Sequence, residues 1–297
     1  MSEAVTRQRA LRPAAAGEAC SVGARAEGEA ALPAAVAARS ARRYEGGRTS
    51  DGVELLIEEV PVALVFNGIS HAVMLATPAD LEDFALGFAL SEGIVAHAAE
   101  VRGIEVQAHA EGVEVALEIS AERFAGLKQH RRTLAGRTGC GLCGVESLAA
   151  LNPPITPVTA HTRVRPAAIV AALDTMRAHQ RLHAQTGAAH AACWADLSGS
   201  VHSVREDVGR HNALDKLIGA LARAGVDVHQ GLVGVSSRAS YEMVAKTARA
   251  GIATLAALSA PTAHAARLAA QLNMTLAAKA RGNRFVVVAG ADGILND

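Results

Sequence analysis

From about residue 160 onward, short apolar runs alternate with stretches of helical periodicity, and this alternation restricts the fold more than any other feature of the chain. Val164 to His179 reads as a helix opened by Pro166. Ala188 to Leu197 and Ser200 to Val204 read as paired strands around Ser198-Gly199. Asn212 to Ala224 is then a helix, Gly231 to Ser236 a strand, Tyr241 to Gly251 a helix and Thr254 to Ser259 a strand. Ala263 to Asn273 is a helix and Phe285 to Ala289 a final strand. Strand and helix in turn predict an α/β domain over residues 161–297, with helices packed on the faces of a sheet.

The first half has another texture. Glu54 to Glu59 and Val62 to Phe66 read as strands interrupted by Pro61, and Asn67-Gly68 is a hairpin turn returning into His71 to Ala76. Thr77 suits a helix N-cap and Pro78 the first helical position, before the helical spacing of Leu81, Phe84, Ala85 and Phe88. Ile104 to Ile119 alternates apolar and polar residues as half-buried strands do. Residues 46–130 therefore form a smaller α+β module. Residues 1–45 are rich in Ala, Arg, Gly and Glu with no aromatic before Tyr44, and are expected to be a disordered tail. Residues 131–160 carry four glycines between Gly136 and Gly144, which predicts a mobile loop and linker.

Composition narrows the function. Hydrophobic residues make up 50% and charged residues 20%, so a sizeable core can form. Lys+Arg and Asp+Glu both number 29, so no strongly basic surface is expected and any anion site must be local. With aromatics at 3%, little is left for stacking along a nucleic acid strand. No apolar run reaches the roughly 18 residues of a membrane span. Glu3, Glu18, Glu27 and Glu29 break up any secretory signal, and Arg42-Arg43 lies too deep for twin-arginine export. The expectation is a cytoplasmic protein with neither nucleic acid nor membrane as partner.

Four constellations carry candidate chemistry. In Cys140-Gly-Leu-Cys143 a second cysteine pair or a His pair for zinc is missing, so no structural metal is expected. Arg131, Arg132 and Arg137, with backbone amides freed by the glycines, favour thiolate over thiol. That makes Cys140 the candidate nucleophile for a persulfide and Cys143 a helper. Two inert loop cysteines or a redox pair are the other readings. In Glu206-Asp207-Val-Gly209-Arg210-His211-Asn212, a tight turn opens a helix whose N-terminus can take an anion, with Arg210 and His211 as added donors. The plainer reading is a capped helix after an acidic turn. Ser236-Ser237-Arg238-Ala239-Ser240 lies between a strand and a helix, where Ser237 and Arg238 suit phosphate or ribose and Ser240 suits an N-cap. Lys279-Ala280-Arg281-Gly282-Asn283-Arg284 is a compact cationic turn that fits a phosphorylated ligand, or a solvated basic turn. Three strand ends leading through polar turns into helices point to one ligand crevice at the carboxyl edge of the sheet. His190-Ala191-Ala192 lacks the glutamate and the later cysteine pair of a zinc deaminase, which argues against that chemistry.

Together these segments resemble the FdhD family, the sulfurtransferase accessory proteins of molybdenum- or tungsten-dependent formate dehydrogenases. The resemblance is carried chiefly by Glu206 to Gly219, EDVGRHNALDKLIG, and by Thr138-Gly-Cys140-Gly-Leu-Cys143-Gly. Thr186-Gly187 with His190, Ser237 to Val244, Ser259-Ala-Pro-Thr262, Glu59-Val-Pro61, Asn67-Gly68, Thr77-Pro78 and Leu86 to Gly93 extend it from about residue 51 to 293. It implies that a cysteine desulfurase supplies persulfide sulfur, which passes through Cys140 to the bis-molybdopterin guanine dinucleotide form of the metal cofactor, a bound substrate serving a formate dehydrogenase catalytic subunit. It also implies a cytidine-deaminase-like three-layer α/β/α C-terminal domain, a homodimer, and a cofactor held at Lys279 to Arg284. Family members often have an aromatic residue where Lys279 stands and Tyr where Val288 stands, so guanine stacking has no counterpart at those two positions. A cofactor-binding chaperone without sulfur transfer and a dithiol redox protein are the alternative functions.

Overall fold

The computed structural model describes residues 31–132 and 154–295. Cys20, Cys140 and Cys143 lie outside them, as do Arg137 and most of the Gly-rich segment.

The expected tail gives way to structure before residue 45. Strand β1 (Val36–Glu45) pairs antiparallel with β2 (Arg48–Ile57) around Gly46 and Gly47, both at positive φ. Composition hid this strand because its partner supplies the pattern. Cross-strand bonds from Arg42 to Asp51 and from Arg43 to Glu54 tie polar positions that look solvated when read alone.

A four-stranded sheet follows, in the order β4-β3-β6-β5. It contains β3 (Val60–Phe66), β4 (Ile69–Ala76), β5 (Val101–His109) and β6 (Gly112–Ile119). Helix α1 (Leu81–Ser91) covers one face through Leu81, Phe84, Ala85 and Phe88, which pack with Val62, Leu64, Phe66, Val115 and Leu117. The helix does not start at Thr77. Its N-cap is Asp80, at φ 53°, because Thr77 is turned toward the C-terminal domain. A further helix, α2 (Ala121–Arg132), closes this module.

The C-terminal domain is built on a six-stranded sheet ordered β12-β11-β10-β9-β7-β8. Its strands are β7 (His190–Asp196), β8 (Val201–Asp207), β9 (Gly231–Val235), β10 (Thr254–Ala257), β11 (Thr275–Arg281) and β12 (Arg284–Ala289). One face packs on α3 (Pro166–Ala178), through Ile169, Leu173 and Met176. The other packs on α5 (Arg210–Arg223), α6 (Tyr241–Arg249) and α7 (Ala263–Gln271), through Leu214, Leu217, Met243, Val244 and Ala265. A short α4 (Arg181–Thr186) precedes β7. This is the expected three-layer α/β/α arrangement. β11 escaped the sequence reading: Thr275-Leu-Ala-Ala is short, carries no strand-specific period, and runs directly into charged residues. Among the described residues no helix is long and apolar enough to cross a membrane.

α1 and α5 cross at unusually close range, because a Cβ on Gly87 would strike the Asp215 carbonyl and one on Gly219 the Asp83 carbonyl. The two modules therefore share a helix–helix contact that only glycine permits at those points.

Candidate functional site

Strand direction assembles the site. β7 runs antiparallel to both β8 and β9, while β9, β10 and β11 are mutually parallel. The carboxyl ends of β8, β9, β10 and β11 thus share one edge, and β7 and β12 begin there. Arg210, His211, Ser237, Arg238, Lys279, Arg281 and Arg284 all belong to that edge, as does His190, which pairs with Asp207. The backbone stitches the loops into one rim. Ser236 N–H donates to Ala191 O (3.0 Å), Ser259 N–H to Ser237 O (3.4 Å), Thr262 N–H to Ala239 O (3.1 Å) and Lys279 N–H to Ser259 O (3.0 Å).

Two helices open onto this rim without a side-chain cap. α5 starts after Gly209, which has no side chain to offer, and α6 starts after Ser240, whose hydroxyl makes no capping bond. α7, by contrast, is capped by Thr262, which accepts from Ala265 N–H at 3.1 Å. Beside the two uncapped ends, Arg210 Nε, His211 Nε2 and Ser240 Oγ are buried atoms with no hydrogen-bond partner. His211 Nε2 does lie 2.8 Å from Glu242 Oε2, an ion-pair distance without hydrogen-bond alignment, and this contact holds the Glu242 carboxyl below its usual pKa. Burial, reinforced by the nearby Arg210 guanidinium, lowers the His190 pKa. Free helix amides, an unspent guanidinium donor and a hydroxyl form a place that can hold an anion, beside the Glu242 carboxylate that His211 already meets.

The Lys279 to Arg284 cluster is a hairpin rather than a single turn. Lys279, Ala280 and Arg281 lie in β11, Gly282 and Asn283 form the reversal, and Arg284 opens β12. Lys279 sits at φ 55° where the β11–β12 register slips, so it occupies a bulge in the left-handed region. Such a conformation costs a non-glycine residue on the order of 1–3 kcal/mol. Ala280 is buried in the core under α3. Among the described residues, Arg210, Arg238, Lys279, Arg281 and Arg284 have no carboxylate partner. Tyr241 and His264, at the first turns of α6 and α7, bring their rings to 4.6 Å at 31° beside the same rim.

Most of the EDVGRHNALDKLIG segment faces away from this edge. Glu206 accepts the Leu182 and His183 amides at the start of α4, both at 2.9 Å. Asp207 and Lys216, each 0% exposed, pair at 2.7 Å, and Asp215 pairs with Lys246 at 2.9 Å. Only Arg210 turns to this edge with a spare donor, while His211 beside it meets Glu242. Sequence reasoning noted Ser240 as a cap and His190 as a failed deaminase ligand, both within segments that carry the family resemblance, but placed neither at the site. Their place on the rim depends on strand pairing that no local pattern carries. The fourth cysteine, Cys193, is fully buried, and burial pushes its thiol up to about 12, which makes it inert near neutral pH. A separate concavity of about 690 Å³, lined by Trp194, His202, Arg205 and Leu221, lies at the opposite edge and contains none of the expected site residues.

Comparison with known proteins bears on this edge. A family model described as the FdhD/NarQ family matches residues 57–295. A sulfur carrier protein FdhD from Cupriavidus necator is 56% identical over 247 residues, 83% of this chain and 86% of its own. One from Bordetella bronchiseptica is 58% identical over 219 residues, 74% of this chain and 79% of its own. A crystal structure from Desulfotalea psychrophila, described as a candidate formate dehydrogenase accessory protein, has a TM-score of 0.68 at 23% identity, covering 88% of this chain and 99% of that one. At that identity the likeness speaks for the fold alone.

Proposed function

The chain belongs to the FdhD/NarQ family, and from that premise we propose that it is a sulfur carrier required for formate dehydrogenase activity. Cys140 accepts sulfur from a cysteine desulfurase: its thiolate attacks the outer sulfur of the donor persulfide, a new S–S bond forms, and the donor cysteine leaves as thiolate. The loaded protein passes that sulfur to the bis-molybdopterin guanine dinucleotide cofactor, its substrate, bound at the carboxyl edge of the six-stranded sheet. The protein acts in the cytoplasm as a homodimer, for which exposed Val53, Leu55, Val73 and Leu75 offer apolar surface.

The observation that supports this reading best is that Arg210 Nε and Ser240 Oγ, both buried and without a hydrogen-bond partner, lie at two uncapped helix ends, beside His211, whose ring meets Glu242. A ligand with two phosphoryl groups matches that donor set, and Lys279, Arg281 and Arg284 extend it. For the base, which meets Lys279 and Val288 where relatives of the family often offer rings, the Tyr241–His264 pair is the aromatic surface at hand. Cys193, with its thiol raised to about 12, is unsuited to carry sulfur.

Intact mass after incubation with a desulfurase and cysteine tests the proposal. The wild-type chain gains one sulfur atom, Cys193→Ala gains it equally, and Cys140→Ala does not. Loading of Cys140→Ala, together with normal activation of formate dehydrogenase, would refute the assignment. A binding chaperone without transfer predicts no gain on any of the three. A dithiol redox protein predicts that Cys143→Ser is as damaging as Cys140→Ser.

A further inference from the structure

The turn that aims Arg210 and His211 is not held by its own neighbours alone. Val208 N–H donates to Thr77 Oγ1 at 3.1 Å, and Gly209 N–H donates to Asp207 Oδ1 at 2.7 Å. The other oxygen of Asp207 takes the Thr77 N–H at 3.0 Å and the Lys216 ammonium at 2.7 Å. Lys216 in turn donates to Thr77 O at 3.0 Å and Glu206 O at 3.4 Å. Asn212 Nδ2 bridges Asp207 Oδ1 at 3.0 Å and Leu75 O at 2.8 Å. Apart from Leu75, every one of these residues is buried or partly buried, and residues 75–77 come from the N-terminal module, some 130 positions earlier in the chain.

We infer that Thr77 is a positioning residue of the anion site: through the Val208 amide and Asp207 it fixes the first turn of α5, and with it the aim of Arg210 and His211. This deepens the reading of the rim as a phosphate-binding edge and rests on it. The consequence is that the N-terminal module takes part in ligand binding without touching the ligand. The Thr77 hydroxyl is the smallest handle on that role. Valine keeps its shape and removes the acceptor, whereas serine keeps the acceptor and removes a methyl group.

Calorimetric titration of the full chain with GDP at low salt tests the inference, with thermal melts to establish folding. Thr77→Val should weaken GDP roughly tenfold, in line with what a small misplacement of binding groups costs, and Thr77→Ser should recover most of the loss. The NMR ring resonances of His211 at fixed pH should move in Thr77→Val and return in Thr77→Ser, which a role in stability alone does not predict. Unchanged GDP affinity in Thr77→Val, or equal weakening in both variants, overturns the inference. If Thr77→Val does not fold, Asn212→Ala, which loosens the same turn from Leu75, takes its place, and wild-type affinity in it counts equally against the idea. The paired variant Arg210→Ala/His211→Ala separates the two levels. If it weakens GDP while Thr77→Val does not, only the positioning role fails; if it leaves GDP binding intact, the anion edge itself is wrong and this inference goes with it.

Discussion

The contact between α1 and α5 and the carboxyl edge of the six-stranded sheet are both rich in charge, yet they treat it in opposite ways. At the helix contact every ionic group has a partner: Asp83 with Arg205 and Arg223, Asp207 with Lys216, Asp215 with Lys246. Lys246 also lies 5.3 Å from the Phe88 ring centre, and although burial alone would lower its pKa, the Asp215 and Glu92 carboxylates raise it. At the sheet edge Arg210, Arg238, Lys279, Arg281 and Arg284 lack carboxylate partners among the described residues. The Asp83 pairs tie the two modules together, while among the described residues of the edge only His211 has such a partner, in Glu242. The same 14-residue segment feeds both regions.

Several substitutions would break this contrast. The largest effect is expected from Lys216→Met, which strands the buried Asp207 carboxylate; urea denaturation should show a loss of about 3–5 kcal/mol. Gly87→Ala should cost about 1–3 kcal/mol or more by the same assay, because its methyl group meets the Asp215 backbone and the helices must part. Replacing Lys279, Arg281 and Arg284 together by alanine should change stability by less than about 1 kcal/mol. It should nevertheless weaken GDP binding strongly at low salt and flatten its salt dependence. If that triple variant unfolds the protein instead, the edge is structural and the contrast collapses. Lys279→Gly alone should stabilise by roughly 0.5–1 kcal/mol, since glycine takes the left-handed bulge without strain.

The smallest expected effect sharpens the electrostatics. His190 has a lowered pKa, so below the ordinary histidine value of about 6.5 the unfolded chain binds a proton that the folded chain refuses. Stability should therefore decline as pH falls from about 7 toward 5, and His190→Gln should flatten that slope. A steeper slope in the variant would mean that another group controls it.

Local pattern carried a large part of this architecture. Pro166 marks the start of α3, Asn67-Gly68 turns β3 into β4, and the alternation after residue 160 yields the three-layer domain. What escaped depends on distant partners. Thr77-Pro78 reads as a helix start, but Thr77 bonds to residues 130 positions away, so α1 begins at Leu81. β1 is visible only beside β2, and the hairpin at Gly282-Asn283 only once β11 is known. For the site, residue type was enough to select Arg210, His211 and the cationic hairpin. It could not say that Ser240 leaves its helix uncapped, nor that His190 lies among the same cations, because both facts arise from how strands order themselves across the sheet.

The glycine crossing of α1 and α5 also governs how this molecule can be taken apart. Cutting the gene between the modules would leave one fragment with a naked apolar helix and the other with Arg205 and Arg223 stripped of Asp83, and Lys246 of Glu92. Two such fragments, produced together, should seek each other out and rebuild a single body, whereas either one alone should precipitate or be degraded.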